Sequence, residues 1–344
     1  MTQSTQQQER WLRWGTLGTA KIGRRGFIPG VRHSATSQLV AVASRDAARA
    51  AAYAQEFGIP RTHDSYDALL ADPHVDAVYV PLPNAMHAEW TIRAARAGKH
   101  VLCEKPAARR LADAERMAAA CREAGVVLME AFMYRHHPQH ARALELLREG
   151  AIGDPVYVRA SFCFTFSQDR RAEGDHRLEP AQEGGGLMDV GCYAVNAARL
   201  IFGAEPLEVS AQQRVDPQFG VDTAFAGVLR FPGDRLALID GSFDVSGTQR
   251  YEVAGPKGIL QVERAYLPGD GPVTITLATG GQRRTVDVDG ADQYALEVDH
   301  FAASVKAGHL LPPAEDGTAQ AAVIEALYES AATRRAVSPA AASA

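Results

Sequence analysis

Lys105, Asp189 and Tyr193 are the residues of this chain whose types and settings point most directly to chemistry. Lys105 ends the run Val101-Leu102-Cys103-Glu104-Lys105, which has buried-strand character, and Pro106 then turns the chain away. In an open parallel sheet, ligands sit in the crevice beyond the carboxyl ends of the strands, so a cation there reaches a cofactor and a substrate together. Glu104 is placed to orient the ammonium or to contact a cofactor amide. Asp189 and Tyr193 lie in Gly184-Gly185-Gly186-Leu187-Met188-Asp189-Val190-Gly191-Cys192-Tyr193, a glycine run that opens a helix. Their i, i+4 spacing sets both on one helical face, with Asn196 beside them. Taking hydride from an alcohol carbon requires a base for the hydroxyl proton. Bringing a tyrosine from its ordinary pKa of about 10 to neutrality takes about 4 kcal/mol, and a neighbouring cation acts in that direction. The expectation is a Tyr193 base, lowered by Lys105 and oriented by Asp189, with all three touching substrate. An exposed first-turn acid and a core tyrosine would give the same spacing.

Hydride needs an acceptor, and the first strand runs into Gly18-Thr19-Ala20-Lys21-Ile22-Gly23, in the G-x-G-x-x-G register with Ala20 in the second glycine slot. Such a turn brings backbone N–H groups to a pyrophosphate at a helix start. Gly18, Thr19, Ala20, Lys21 and Ile22 are the expected contacts. The second strand ends at Ser44-Arg45, where an acid would bind the ribose 2′-hydroxyl of NAD. A hydroxyl and a guanidinium suit a 2′-phosphate, so NADP is expected over NAD. Pro81, Leu82, Asn84 and His87 follow the third strand as further cofactor contacts, although His87 could equally pack against the next loop. Arg177 is the substrate candidate in the polar loop of Arg170-Arg171 and His176-Arg177. His136, His137 and His140 lack metal-ligand spacing and read as a helix start, so no metal is expected.

Strand-helix alternation must position these groups. Apolar runs at Leu12–Leu17, Leu39–Ser44, Ala77–Val80, His100–Cys103 and Val126–Glu130 predict strands, with helices at Arg45–Phe57, His87–Ala97 and Ala112–Ala124. Beyond residue 131 short strands dominate, beginning with Pro155–Phe166, Leu207–Val215 and Ala224–Phe231 and ending with Arg283–Val288. One strong helix, Gly185–Phe202, interrupts them, and helices Gln293–Ala307 and Thr318–Arg335 close the chain. The expected fold is an α/β Rossmann domain over 1–131, with a tail at 1–10, then an α+β domain over 132–344 with a large, mostly antiparallel open sheet.

The 344 residues suit two domains, and 46% hydrophobic with 22% charged residues is ordinary for a globular protein. A net charge of −5 offers no basic field, so nucleic acid is not an expected partner. No apolar run approaches the ~18 residues of a membrane span. The four cysteines form no C-x-x-C pair and Met1 to Arg10 holds no apolar signal segment, so a cytoplasmic setting is expected. The end, Ala336 to Ala344, is expected to be disordered.

The glycine turn, Pro81-Leu82-Pro83-Asn84 through His87, Glu104-Lys105-Pro106, Glu130 through Pro138, and Gly184 through Tyr193 resemble the Gfo/Idh/MocA oxidoreductase family across essentially the whole chain. Tyr193 stands where many members carry histidine. With Ser44-Arg45 and Glu130-Ala131-Phe132-Met133-Tyr134-Arg135, it is similar to a subgroup holding NADP-dependent D-xylose dehydrogenases, dimeric dihydrodiol dehydrogenase and glucose-fructose oxidoreductase. The resemblance adds Arg135 as a cofactor contact and implies a homodimer or homotetramer formed through the open sheet. It implies NADP-dependent oxidation of an aldose at its C1 hydroxyl, with D-xylose or D-glucose as first choices. The alternatives are a trans-dihydrodiol dehydrogenase, a dicarbonyl or anhydro-sugar reductase, or a non-catalytic NADP-sensing regulator.

Overall fold

Six short strands pair in parallel in the first part of the chain: β1 (Leu12–Leu17), β2 (Ser37–Ala43), β3 (Arg61–His63), β4 (Ala77–Val80), β5 (His100–Glu104) and β6 (Leu128–Ala131). Their spatial order is β3-β2-β1-β4-β5-β6, which reverses between β1 and β4 and opens a ligand crevice there. The computed structural model describes residues 12–341 apart from 168, 170, 172 and 173, so the expected tail at 1–10 and Arg170 lie outside the described residues. The central strands are buried on both faces, and β4 reads Ala-Val-Tyr-Val without alternation for that reason. The strand β3 escaped the sequence reading because Arg-Thr-His carries no apolar signal.

The second sheet has eight strands, β7 (Tyr157–Thr165), β8 (Glu208–Val215), β9 (Asp222–Phe231), β10 (Arg235–Ser242), β11 (Asp244–Gly255), β12 (Gly258–Val262), β13 (Val273–Thr279) and β14 (Gln282–Val288). Their order is β14-β13-β12-β11-β7-β10-β9-β8, with β7 and β10 parallel and each other neighbour pair antiparallel. One face packs on helices Cys192–Phe202 and Thr318–Thr333 around a core that includes Phe225, Leu229, Ile239 and Leu327. The opposite face leaves Val228, Leu238 and Val245 exposed.

The C-terminal helices do not stay with this second sheet. Helix Gln293–Ala307 crosses back to the first, where Phe301 sets its ring 4.8 Å from that of Trp14 on β1, and both are fully buried. Helix Thr318–Thr333 touches both helix Leu111–Ala124 and β8. Within the alanine-rich end, Val337 departs from the disorder expected of it, because it exchanges backbone hydrogen bonds with Val209 at 2.8 and 2.9 Å; residues 342–344 lie outside the described residues. The expected long helix also has two parts. Residues Leu187–Gly191 form a wide π-helical turn before the α-helix begins at Cys192. Such turns displace the helical register locally and concentrate at functional sites.

Candidate active site

A cleft of about 1390 Å³ runs from the β1 turn, over the carboxyl ends of β2, β4 and β5, to the π-helical turn at Leu187–Gly191. That exceeds the usual range for one small ligand and leaves room for a dinucleotide beside a substrate. At one end, Gly18 has φ +96°, a left-handed conformation that a side chain would strain, and its N–H donates to Ala43 O. Thr19, Ala20, Lys21 and Ile22 line the cleft next to it. The helix that follows starts at Lys21, and Ala20 before it has no polar side chain to cap the first N–H groups, which an anion at that helix start would take. Ser44, Arg45 and Arg49 line the tip of β2, with Arg25 across from them. Asp46, the nearest acid, accepts from the Arg49 N–H as the N-cap of helix Ala47–Phe57. The donor set at this end therefore fits a phosphorylated ribose.

At the other end, charges alternate. Lys105 Nζ donates to Asp189 O at 2.7 Å and lies 3.3 Å from Asp189 Oδ1. Asp189 Oδ2 takes Arg177 Nε at 2.9 Å, and Arg177 reaches Asp175 at 3.2 Å. Burial alone would raise the Asp189 pKa, but the Arg177 and Lys105 cations outweigh it and hold this carboxyl well below the usual carboxylate range. Burial likewise opposes the Lys105 charge, and Asp189 reverses that, so the ammonium stays protonated. Glu104 closes the floor: it accepts from Tyr79 OH, and its second oxygen takes the Lys105 N–H at 3.2 Å.

Tyr193 lines the same cleft, yet its electrostatics oppose the expectation. Lys105 Nζ stands over the ring face, 4.7 Å from its centroid, and the phenol donates to Met133 Sδ at 3.5 Å. Burial drives the Tyr193 pKa well above its ordinary value. Burial dominates, and Tyr294, Glu104, Cys192 and Asp189 add to the rise, so the phenol carries its proton despite the cation over its face.

Among the sequence candidates, Pro81, Leu82, Asn84, Glu104 and Arg177 also line the cleft. Asn84 spends its amide on Glu183 O at 2.9 Å. His87 and Arg135 require correction. His87 is 1% exposed and stands outside the cleft lining, its ring nitrogens 2.8 Å from Leu82 O and 3.0 Å from Pro106 O; burial lowers its pKa to about 4, so the neutral ring donates to one of these two carbonyls. Arg135 is buried against Glu315 at 2.8 Å and Asn196 at 3.3 Å, since its turn points away from the first sheet's crevice. Asn196 is itself fully buried and accepts from Tyr134 OH at 2.6 Å, so it does not join Asp189 and Tyr193 at the cleft. Arg171 pairs with Asp216 at 3.4 Å, and His137 caps helix Pro138–Arg148. Sequence reasoning missed Phe162 and Phe164, alternate residues of β7, and Gln293 and Tyr294 at the return helix. Strand alternation could have paired the two phenylalanines; nothing local marks the glutamine and tyrosine.

The comparisons agree with this architecture. An oxidoreductase family model with an NAD-binding Rossmann fold matches residues 12–132, and the GFO/IDH/MocA C-terminal domain matches residues 140–261. The chain belongs to the Gfo/Idh/MocA family. Membership makes it an oxidoreductase. It is 43% identical to D-xylose 1-dehydrogenase (NADP(+)) 2 of Haloferax volcanii, over 95% of this chain and 99% of that one. It is 35% identical to trans-1,2-dihydrobenzene-1,2-diol dehydrogenase of Mus musculus, over 79% of each. Among solved structures it resembles a 3-ketoreductase from Actinomadura kijaniata in complex with NADP and TDP-benzene, at TM-score 0.88 and 34% identity, covering 93% and 98% of the two chains. An aldose-aldose oxidoreductase from Caulobacter crescentus complexed with glycerol matches at TM-score 0.87 and 33% identity, covering 96% and 100%. No helix among the described residues is long and apolar enough to cross a membrane.

Because the folded pKa of Asp189 is depressed, its contribution to stability is present above the ordinary carboxylate pKa of about 3.9 and is lost as pH falls through the lower folded value. Stability from this source should be flat from pH 8 to pH 5 and decline only in stronger acid. Asp189→Asn should cost about 3 kcal/mol at neutral pH, by stranding Lys105 and Arg177, and should remove that acid-side decline. Urea unfolding of both proteins across pH checks this; equal stability at pH 7 would contradict it.

Proposed function

We propose that the chain is an NADP-dependent sugar dehydrogenase that transfers hydride between the C1 hydroxyl of an aldose and the nicotinamide, with D-xylose or D-glucose as substrate. The observation that carries this reading is the Lys105–Asp189–Arg177 chain of alternating charge at the cleft end opposite the phosphate-type turn. Its cations are already matched by carboxylates, which suits a neutral polyhydroxylated ring over an anionic one. Similarity to the Haloferax enzyme supports the same substrate class.

Bound NADP supplies the hydride acceptor. Lys105, kept cationic by Asp189, donates to the reacting hydroxyl oxygen and stabilises negative charge as it develops there. Tyr193 exchanges the hydroxyl proton. Since its phenol starts protonated, it is set to donate in the direction of carbonyl reduction, and in the direction of oxidation it first passes its proton to water in the open cleft and then takes the substrate hydroxyl's. Asp189 and Arg177 orient the sugar hydroxyls. Ser44 and Arg45, with Arg49 next to them, take the 2′-phosphate.

A second reading, oxidation of a trans-dihydrodiol, draws on Phe162 and Phe164, which give the cleft an apolar wall next to Tyr193. The exposed face of the eight-stranded sheet, with Val228, Leu238 and Val245, is the surface for a homodimer or homotetramer. Four free, buried cysteines favour a reducing cytoplasm.

Lys105→Met should lower kcat for D-xylose oxidation with NADP by at least about 100-fold, with unchanged circular dichroism; full turnover would remove the assignment. Arg45→Ala should weaken NADP binding by about 10- to 100-fold while leaving NAD binding unaltered, read by titration calorimetry. An equal loss for both cofactors would refute the 2′-phosphate contact. Light scattering should find a dimer or tetramer that Leu238→Glu reduces in order; a wild-type monomer would discard the sheet-face interface.

A further inference from the structure

The Lys105–Ala107 turn is held from behind by two residues that touch neither end of the cleft. On one side, the buried, neutral His87 ring packs between Pro106 O, 3.0 Å from Nδ1, and Leu82 O, 2.8 Å from Nε2, and donates to one of them. On the other, Glu130 on β6 accepts from the Ala107 N–H through Oε1 at 2.8 Å. Glu130 is 3% exposed, and its other oxygen, Oε2, is buried with no hydrogen-bond partner. A buried carboxyl with half its capacity unused costs stability and would not serve packing alone.

We propose that Glu130 is a positioning residue for Lys105: with His87 it clamps the Pro106–Ala107 turn and so fixes where the ammonium stands over the cleft. The clamp extends beyond the turn. Glu130 N–H donates to Glu315 O at 2.8 Å, which ties β6 to the segment that precedes helix Thr318–Thr333. Gly317 of that segment packs so closely that an added Cβ would fall 2.6 Å from Ala107 Cβ and 3.3 Å from the Glu130 carboxyl carbon. Glu315 in turn holds Arg135 at 2.8 Å and Arg199 at 2.7 Å, and Arg199 pairs with Glu205 at 2.6 Å. The titratable and charged groups around Glu130 are thus Glu315, Arg135 and Arg199, with Cys103 of β5 and Cys192 of the site helix nearby. Burial raises the Glu130 pKa to about 8; the Ala107 N–H and the two arginines oppose that rise, and Glu315 adds to it. The carboxyl therefore keeps its proton at neutral pH, and glutamine reproduces its shape and charge. The inference rests on Lys105 acting at the reacting centre, as proposed above.

Two measurements test it. The first needs no substrate: amide exchange at Ala107, followed by NMR or peptide mass spectrometry on the full chain. Glu130→Leu should speed that exchange by at least about tenfold, and Glu130→Gln should hold it near wild type. Unchanged protection in Glu130→Leu would overturn the clamp. The second is a double-mutant cycle on kcat with D-xylose and NADP. Glu130→Leu should lower kcat by about 10- to 100-fold with NADP affinity intact, Glu130→Gln should restore it to within about threefold, and the loss should vanish in the Lys105→Met background. A loss of equal size in that background would overturn the proposal while leaving Lys105 in its role. Full turnover by Lys105→Met alone would remove the role of Lys105 itself, a separate outcome.

Discussion

One ionic contact carries the arrangement: Lys105 comes from the end of β5 in the first sheet, and Asp189 comes from the turn that opens the helix covering the second. Both side chains are mostly buried, and neither charge would be tolerated there alone. Arg177 completes the balance from a third segment. This contact ties the two sheets together across the cleft, beside the C-terminal helices that pack on both halves. The dinucleotide-type turn and the aromatic wall then fall at opposite ends of one space.

Around that contact, polar groups divide by depth. Those facing the cleft retain capacity for a ligand, as with the helix start after Gly18 and the arginines at the β2 tip. Behind it, Arg135, Arg199, Glu315, Glu205, Asn196 and Gln320 pair among themselves in a second network, which leaves Arg135 Nε and the neighbouring Glu130 Oε2 without a partner. Buried polar networks of this kind favour a single arrangement, since partial satisfaction is costly.

Much of this was legible in the residues. Five of the six strands of the first domain were legible as continuous apolar runs, β1 and β4 to the residue, and β3 was not, since these patterns are local and Arg61–His63 lacks one. The glycine turn, Glu104-Lys105-Pro106 and the Gly184-to-Tyr193 run pointed to one cleft because sheet topology places strand ends together. Depth was not legible. His87 and Arg135 sit within motif segments, and only coordinates distinguish a residue facing the crevice from one bracing its wall. The same blindness inverted the sign for Tyr193: sequence spacing reveals a neighbouring cation but not the desolvation that outweighs it. Gln293 and Tyr294 were invisible for another reason. They arrive at the cleft on a helix whose destination depends on the packing of Phe301.

That returning helix also bears on how the protein is made. Trp14 is synthesised long before Phe301, the ring that covers it. The nascent first sheet consequently keeps one apolar flank unsheltered until helix Gln293–Ala307 has been made. The sheet completes its burial only after the intervening β-rich half has been produced, which makes the final docking step a long-range closure and gives chaperones a defined surface to guard meanwhile.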